Sequence, residues 1–203
     1  MQWPYFSSLA GLTIFAYLLG AVPFGLILIK WFKSVDLRKI GSGNIGATNA
    51  RRAGGWSLGL ITLCLDVLKG VLPVYLAGAF FPDTGNSLAV SISAIGAFLG
   101  HLFPVYLKFQ TGGKGVATAA GCFAVIAPIS LLIALAAFII LAALSNKVSV
   151  GSITAAISLP LAMLLLEKDW MLIGGAAFIC LLIIIRHKDN IRRLLSGTEP
   201  TIR

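Results

Sequence analysis

Residues 115–145 read GVATAAGCFAVIAPISLLIALAAFIILAALS, a run of 31 apolar or small residues. As a single helix it would be about 46 Å long, against a bilayer hydrocarbon core of roughly 30 Å. One tilted crossing fits that length poorly. Pro128 offers a break, because its ring removes a backbone donor and clashes with the turn before it. The split predicts a short helix at 113–127 and another at 129–145. It adds one crossing, so it also decides on which side every later connection emerges.

Working outward, the runs 3–29, 56–81, 87–107, 148–166 and 170–185 each approach or exceed the roughly 20 residues that cross a bilayer. The chain is 58% hydrophobic and only 11% charged, far from the usual quarter charged of a soluble domain. The expectation is an all-α integral membrane protein, one polytopic domain over 1–203. The first run lacks a basic n-region and a cleavage site, so it is read as a membrane helix and not as a signal peptide. Cys64, Cys122 and Cys180 are odd in number and lie inside apolar runs, which suits packing residues and excludes a disulfide or metal framework. No cofactor is implied.

Charge fixes the orientation. Lys30, Lys33, Arg38, Lys39, Arg51 and Arg52 share one connection, Lys108 and Lys114 another, and Arg186, Lys188, Arg192, Arg193 and Arg203 the tail. Basic connections face the cytoplasm. The connection at Pro82-Asp83 carries no base and Glu167-Lys168-Asp169 is net acidic, so both face outward. Without the break at Pro128 the basic tail would be delivered outside. With it there are seven crossings, some short, with the N-terminus outside and the C-terminus cytoplasmic. The net charge of +9 is thereby explained by scattered topology signals, which argues against a nucleic-acid partner.

Connections 31–55, 106–115, 146–152 and 186–203 then open on one cytoplasmic face. The first contains Gly41-Ser42-Gly43-Asn44-Ile45-Gly46-Ala47-Thr48-Asn49-Ala50-Arg51-Arg52. Its glycines let the backbone curl around an anion, Ser42 and Thr48 offer hydroxyls, Asn44 and Asn49 offer amides, and an arginine grips phosphate in a fork. The plainer reading is a re-entrant turn with arginines as topology signals. The second contains Thr111-Gly112-Gly113-Lys114-Gly115 before a short helix, which resembles a phosphate nest at a helix start. Glycine follows Lys114 where a Walker loop needs Ser or Thr, so ATP is not implied. Asn146, Ser149 and Ser152 begin one helix, and Arg186-His187-Lys188-Asp189-Asn190 ends another. His187 and Asn190 share a face if that helix continues. A basic segment touching anionic lipid is the alternative there.

His101, before Phe103-Pro104, reads as a hydrogen-bonded structural residue. Asp66 and Lys69 lie one turn apart inside an apolar helix, where an internal ion pair is the economical arrangement and an ion path the runner-up.

Three segments together, GSGNIGATNARR at 41–52, GHLFPVYLKFQTGGKGVAT at 100–118 and HKDNIRRLLSGTEP at 187–200, resemble the bacterial acyl-phosphate:glycerol-3-phosphate acyltransferase family of the PlsY type, over essentially the whole chain. The resemblance implies a multi-pass protein of the bacterial cytoplasmic (inner) membrane that moves a fatty acyl group from acyl phosphate to the sn-1 hydroxyl of glycerol 3-phosphate. It carries over phosphate-binding and catalytic roles to Ser42, Thr48, Arg52, Gly112, Gly113, Lys114, Ser152, His187 and Asn190. The full candidate set has Ser42, Arg52, Lys114, His187 and Asn190 as catalytic residues. Gly43, Asn44, Thr48, Asn49, Gly112, Gly113 and Ser152 are its substrate-binding members.

The physical reading agrees: both substrates present phosphate and one carries an acyl chain, so anion cradles belong at the membrane surface beside an apolar groove, with membrane lipid as a partner. Neither histidine is followed by the aspartate of an H-x4-D pair. A substrate phosphate is therefore the expected proton acceptor, with no loop carboxylate available as base. A transporter of phosphorylated metabolites and a lipid-binding scaffold are the rivals. No inverted repeat supports the first, and the second has no use for polar small residues crowded on one face.

Overall fold

The computed structural model describes residues 3–82, 86–110 and 112–202. Asp83, Thr111 and Arg203, used above for topology and for the second loop, lie outside the described residues. The described residues are almost wholly helical, and they divide into two compact units, Met1–Val125 and Ile126–Arg203.

The first unit holds α1 (Trp3–Gly20), α2 (Phe24–Lys33), α3 (Ala47–Gly54), α4 (Trp56–Phe80), α5 (Asn86–Leu102) and α6 (Val116–Ile126). The run expected as one helix over 3–29 is two. Pro23 has no N–H to give, so the ladder stops at Gly20 and restarts at Phe24. At the break the Val22 carbonyl accepts from Phe24 N at 3.1 Å and also from Lys69 Nζ at 3.0 Å, which ties α4 to it.

Small residues let these helices meet closely, which is how helices associate where lipid removes the hydrophobic drive. A side chain at Gly20 or Gly100 would overlap the carbonyls of Ala97 and Tyr17, on the facing helices α5 and α1. Gly70 of α4 and Gly121 of α6 likewise lie against the carbonyls of Thr118 and Val67. Tyr17 Oη ties α1 to the end of α5 by donating to the Phe103 carbonyl at 2.7 Å.

The second unit holds α7 (Pro128–Ser145), α8 (Val148–Leu166), α9 (Trp170–Arg186) and α10 (Lys188–Leu195). The break expected at Pro128 is present: α6 ends at Ile126, and the proline opens α7, where its missing N–H costs nothing. The short helix begins at Val116 and not at 113, because Gly115 adopts φ +80°, outside the helical region. Asp169 caps α9, accepting from Met171 N at 2.8 Å and Leu172 N at 3.3 Å. Chain direction bends by 52° between α9 and α10. The helix does not continue straight past Arg186: it turns a corner at His187, so the condition for His187 and Asn190 to share one face of α9 is not met.

By length and apolarity five segments qualify to cross a membrane, and six if α9 and α10 form one bent span; α6 is a shorter apolar helix. At 11 residues α6 is about 16 Å long, half of a hydrocarbon core. Large apolar side chains such as Ile129, Leu132, Ile139 and Leu165 are exposed, as lipid-facing positions must be. Cys122 and Cys180 are buried packing residues as expected, but Cys64 is exposed on α4.

Candidate active site

Chemistry-bearing residues gather in each unit at the ends of helices. In the first unit the segment 37–54 leaves α2, makes a 3-10 turn at Leu37–Lys39, curls through the glycines and enters α3. Gly41 and Gly43 hold φ of +55° and +68°, which the curl requires. Ile29, Leu37, Ala50 and Leu58 form a small core beneath it. Gly25 of α2 has no side chain because the Ile45 carbonyl of the loop occupies that space. The loop is thus seated on α2 and α4.

Asn49 organises this loop from inside. It is buried, and its Nδ2 lies within hydrogen-bonding distance of the carbonyls of Leu37 at 3.1 Å, Ile40 at 2.9 Å and Asn44 at 2.8 Å. Its Oδ1 accepts from Ser42 N at 3.2 Å. Both ends of the amide face the backbone, so Asn49 shapes the first loop. Asn44 acts similarly over a shorter range, accepting from Gly46 N at 2.9 Å.

Ser42 is exposed, and Thr48 and Arg52 stand one turn apart on α3. A Cβ at Gly41 would lie 3.7 Å from Arg52 Cδ, so the arginine stem runs beside the glycine curl. Arg51 points elsewhere: its guanidinium sits 4.5 Å from the centre of the Trp56 ring. Asp36 caps the 3-10 turn and pairs with Arg38 at 2.6 Å. Hydrogen bonds from Arg38 hold the Asp36 carboxyl down at about 2.

The second loop lies against the end of α5. Gly113 N donates to the His101 carbonyl at 3.1 Å. A side chain on Gly112 would overlap the Leu102 carbonyl, and one on Gly113 would overlap His101 Nε2. Gly112 and Gly113 are both buried, and Lys114 follows them half-buried. The Gly113 N–H, expected to bind phosphate, is engaged with its own scaffold.

In the second unit Ser149 and Ser152 occupy the first turns of α8, and Ser152 Oγ donates to the Val148 carbonyl at 3.1 Å. His187 is 1% exposed, with Nδ1 2.8 Å from the Ile183 carbonyl. A carbonyl only accepts, so Nδ1 carries a proton in either charge state and any protonation change occurs at Nε2. Asn190 Nδ2 donates to Glu199 Oε1 at 2.7 Å, and Arg193 Nε donates to Oε2 at 2.7 Å.

Glu199 is a buried carboxylate that the sequence reading, which saw none available in the loops, did not assign. The tail reaches back because Gly197 turns at φ +72°, and Ile202 N donates to the Asn146 carbonyl at 2.9 Å. Burial raises the Glu199 carboxyl, but hydrogen bonds from Asn190 and Arg193 and the charge of Arg193 outweigh it and hold it below its ordinary range. It is an ionised brace and not an acid. The signal that pointed to it was its place inside the motif 187–200.

Among the described residues no group of three or more His, Cys, Asp or Glu is placed to hold a metal ion. What each unit offers at its helix ends is cationic and amide donors, the groups that suit a phosphate.

A family model described as glycerol-3-phosphate acyltransferase matches residues 10–197. The chain belongs to the glycerol-3-phosphate acyltransferase family. Curated glycerol-3-phosphate acyltransferases from Geotalea daltonii and Syntrophotalea carbinolica are 47% and 46% identical to it. They cover 93% and 91% of this chain, over 94% and 92% of their own lengths. A crystal structure of PlsY, an integral membrane glycerol 3-phosphate acyltransferase in its glycerol 3-phosphate form, matches with a TM-score of 0.90 and 39% identity, covering 96% of this chain and 95% of its own. The lysophosphatidic acid form of PlsY matches at 0.87 and 38%, with the same coverage. This member of the glycerol-3-phosphate acyltransferase family is an integral membrane acyltransferase, which sets aside the transporter and scaffold readings.

Proposed function

We propose that the chain transfers a fatty acyl group from acyl phosphate to the sn-1 hydroxyl of glycerol 3-phosphate. The products are lysophosphatidic acid and inorganic phosphate, in the first acylation of phospholipid synthesis. The observation that carries this reading is the full-length likeness to PlsY in its glycerol 3-phosphate and lysophosphatidic acid forms. The polar segments supply the matching chemistry.

Acyl phosphate is a mixed anhydride with a good leaving group, so alignment and charge stabilisation do most of the work. The sn-1 oxygen attacks the acyl carbon, the bond from that carbon to the phosphate oxygen breaks, and the hydroxyl proton passes to a phosphate oxygen. Arg52, Lys114, Ser152, His187 and Asn190 position glycerol 3-phosphate, with Ser42 beside Arg52. Thr48 and the Gly112 segment hold the acyl phosphate. Gly113 contributes by lying flat against His101, and Gly43, Asn44 and Asn49 by shaping the first loop. Glu199 aims the Asn190 amide.

The chain is one polytopic domain of the bacterial inner membrane. Seven crossings, with α6 the short one and the N-terminus outside, put the four polar connections on the cytoplasmic face, where glycerol 3-phosphate is dissolved. The acyl chain stays among membrane lipid.

Purified protein given palmitoyl phosphate and glycerol 3-phosphate should release phosphate and form lysophosphatidic acid. No turnover in competent detergent or lipid overturns the reading. Normal turnover by Arg52→Ala or Lys114→Ala overturns only the site assignment. If His187 were the base, a pH–rate limb would disappear in His187→Gln while substrate binding was kept; the phosphate-acceptor reading requires the limb to persist.

A further inference from the structure

The first unit contains a buried polar chain that the acyl transfer does not itself use. Lys69 Nζ touches the Val22 carbonyl at 3.0 Å and Asp66 Oδ1 at 2.8 Å. Asp66 Oδ1 lies 3.9 Å from His101 Nδ1, which is 3.3 Å from Thr118 Oγ1. Asp66 and Lys69 are each 2% exposed, His101 4% and Thr118 not at all. The chain thus joins the α1–α2 break, α4, α5 and α6. The His101 imidazole within it is the ring on which Gly113 lies, one residue before Lys114.

A buried ion pair is weak evidence for stability, since well-packed apolar residues in its place are often neutral or better. Its use here is geometric. The pair is anchored at the α1–α2 break by the Val22 carbonyl, and Asp66 faces the same ring nitrogen, His101 Nδ1, that Thr118 Oγ1 approaches. The ring in turn sets how deeply the Gly112–Gly113 backbone seats, because glycine leaves no side chain to cushion the contact.

We propose that Lys69, Asp66, His101 and Thr118 are positioning residues: they fix the His101 ring, and through Gly113 they set the reach of Lys114 toward a substrate phosphate. This rests on the acyl-transfer reading above, with Lys114 as a phosphate ligand. None of the four touches substrate.

The test measures KM for glycerol 3-phosphate and kcat with palmitoyl phosphate as donor. The variants are Asp66→Leu/Lys69→Met, which leaves no lone charge, and Thr118→Val, which replaces the hydroxyl by a methyl group of similar size. Each is also made in a Lys114→Ala background. Expected is a rise in KM of about tenfold for the double variant and about threefold for Thr118→Val, with kcat changed less than KM. In the Lys114→Ala background the same substitutions should add almost nothing, because they act through the residue already removed.

Unchanged KM in folded variants, or equal losses with and without Lys114, overturns the proposal. If the double variant does not fold, Thr118→Val decides by the same two criteria. Failure of the underlying reading looks different, since the unsubstituted enzyme would then show no turnover at all.

Discussion

Asn190 Nδ2 and Glu199 Oε1 are 2.7 Å apart, and Arg193 Nε holds the second carboxylate oxygen at the same distance. An amide aimed by a carboxylate presents its remaining Oδ1 in one direction. Glu199→Ala leaves the Asn190 amide and Arg193 without that acceptor. The expected cost is about 1–3 kcal/mol of unfolding free energy, together with loss of most activity, read by thermal unfolding and phosphate release. Glu199→Gln retains an acceptor for one partner and should fall between.

Acid acts on the same contact. The Glu199 carboxyl is held below its ordinary value of 4.5, so its contribution to stability is complete above that value. It is lost as pH falls through the lower folded-state value. Tail docking followed by protease nicking near Gly197 should be unchanged from neutral pH down to about 5 and weaken only below it. Onset of nicking near neutral pH contradicts this.

Neighbouring arginines should separate cleanly. Arg51 stacks on Trp56 at 4.5 Å, so Arg51→Ala is expected to cost up to about 1 kcal/mol of stability and little activity. Arg52 runs beside the glycine curl, and Arg52→Ala is expected to lower kcat/KM by about a hundredfold, the scale of a lost charge-assisted phosphate contact. Equal effects from the two variants would contradict the placement of the loop.

Asn49→Ala removes the Nδ2 donor facing the carbonyls of Leu37, Ile40 and Asn44. A loss of about 2–3 kcal/mol is expected. Activity should fall in step with stability across temperature. Asn49→Asp should be worse, because it turns an acceptor toward those carbonyls. A variant of full stability with raised KM would return Asn49 to the list of substrate ligands.

Gly25→Ala tests the seat of the loop from below. Its methyl would overlap the Ile45 carbonyl, so the first loop must lift from α2. Turnover should drop at least about tenfold while the protein still inserts and purifies, the pattern of a displacement remote from the chemistry. Wild-type turnover would show that the loop accommodates the methyl.

The membrane fold was legible because apolar run length is a strong signal, and the break at Pro128 because the run there was too long for one crossing. Pro23 carries the same chemistry, yet its run of 3–29 has a plausible span length, so nothing in the hydropathy demanded a break. Asn49 and Arg52 look alike to a composition argument. Only the positions of Leu37, Ile40 and Asn44 show that one faces inward. Glu199 escaped because the search was for an aspartate four residues after a histidine, whereas a turn at Gly197 brings it back to Asn190.

The pairing of Ile202 N with the Asn146 carbonyl reaches beyond enzymology. Anything fused after residue 203 pulls on a segment that is tied down at Glu199, four residues earlier. An affinity tag or fluorescent reporter placed there is in effect a mutation of the Asn190 brace. Labels at the opposite end are the sounder choice for anyone quantifying turnover.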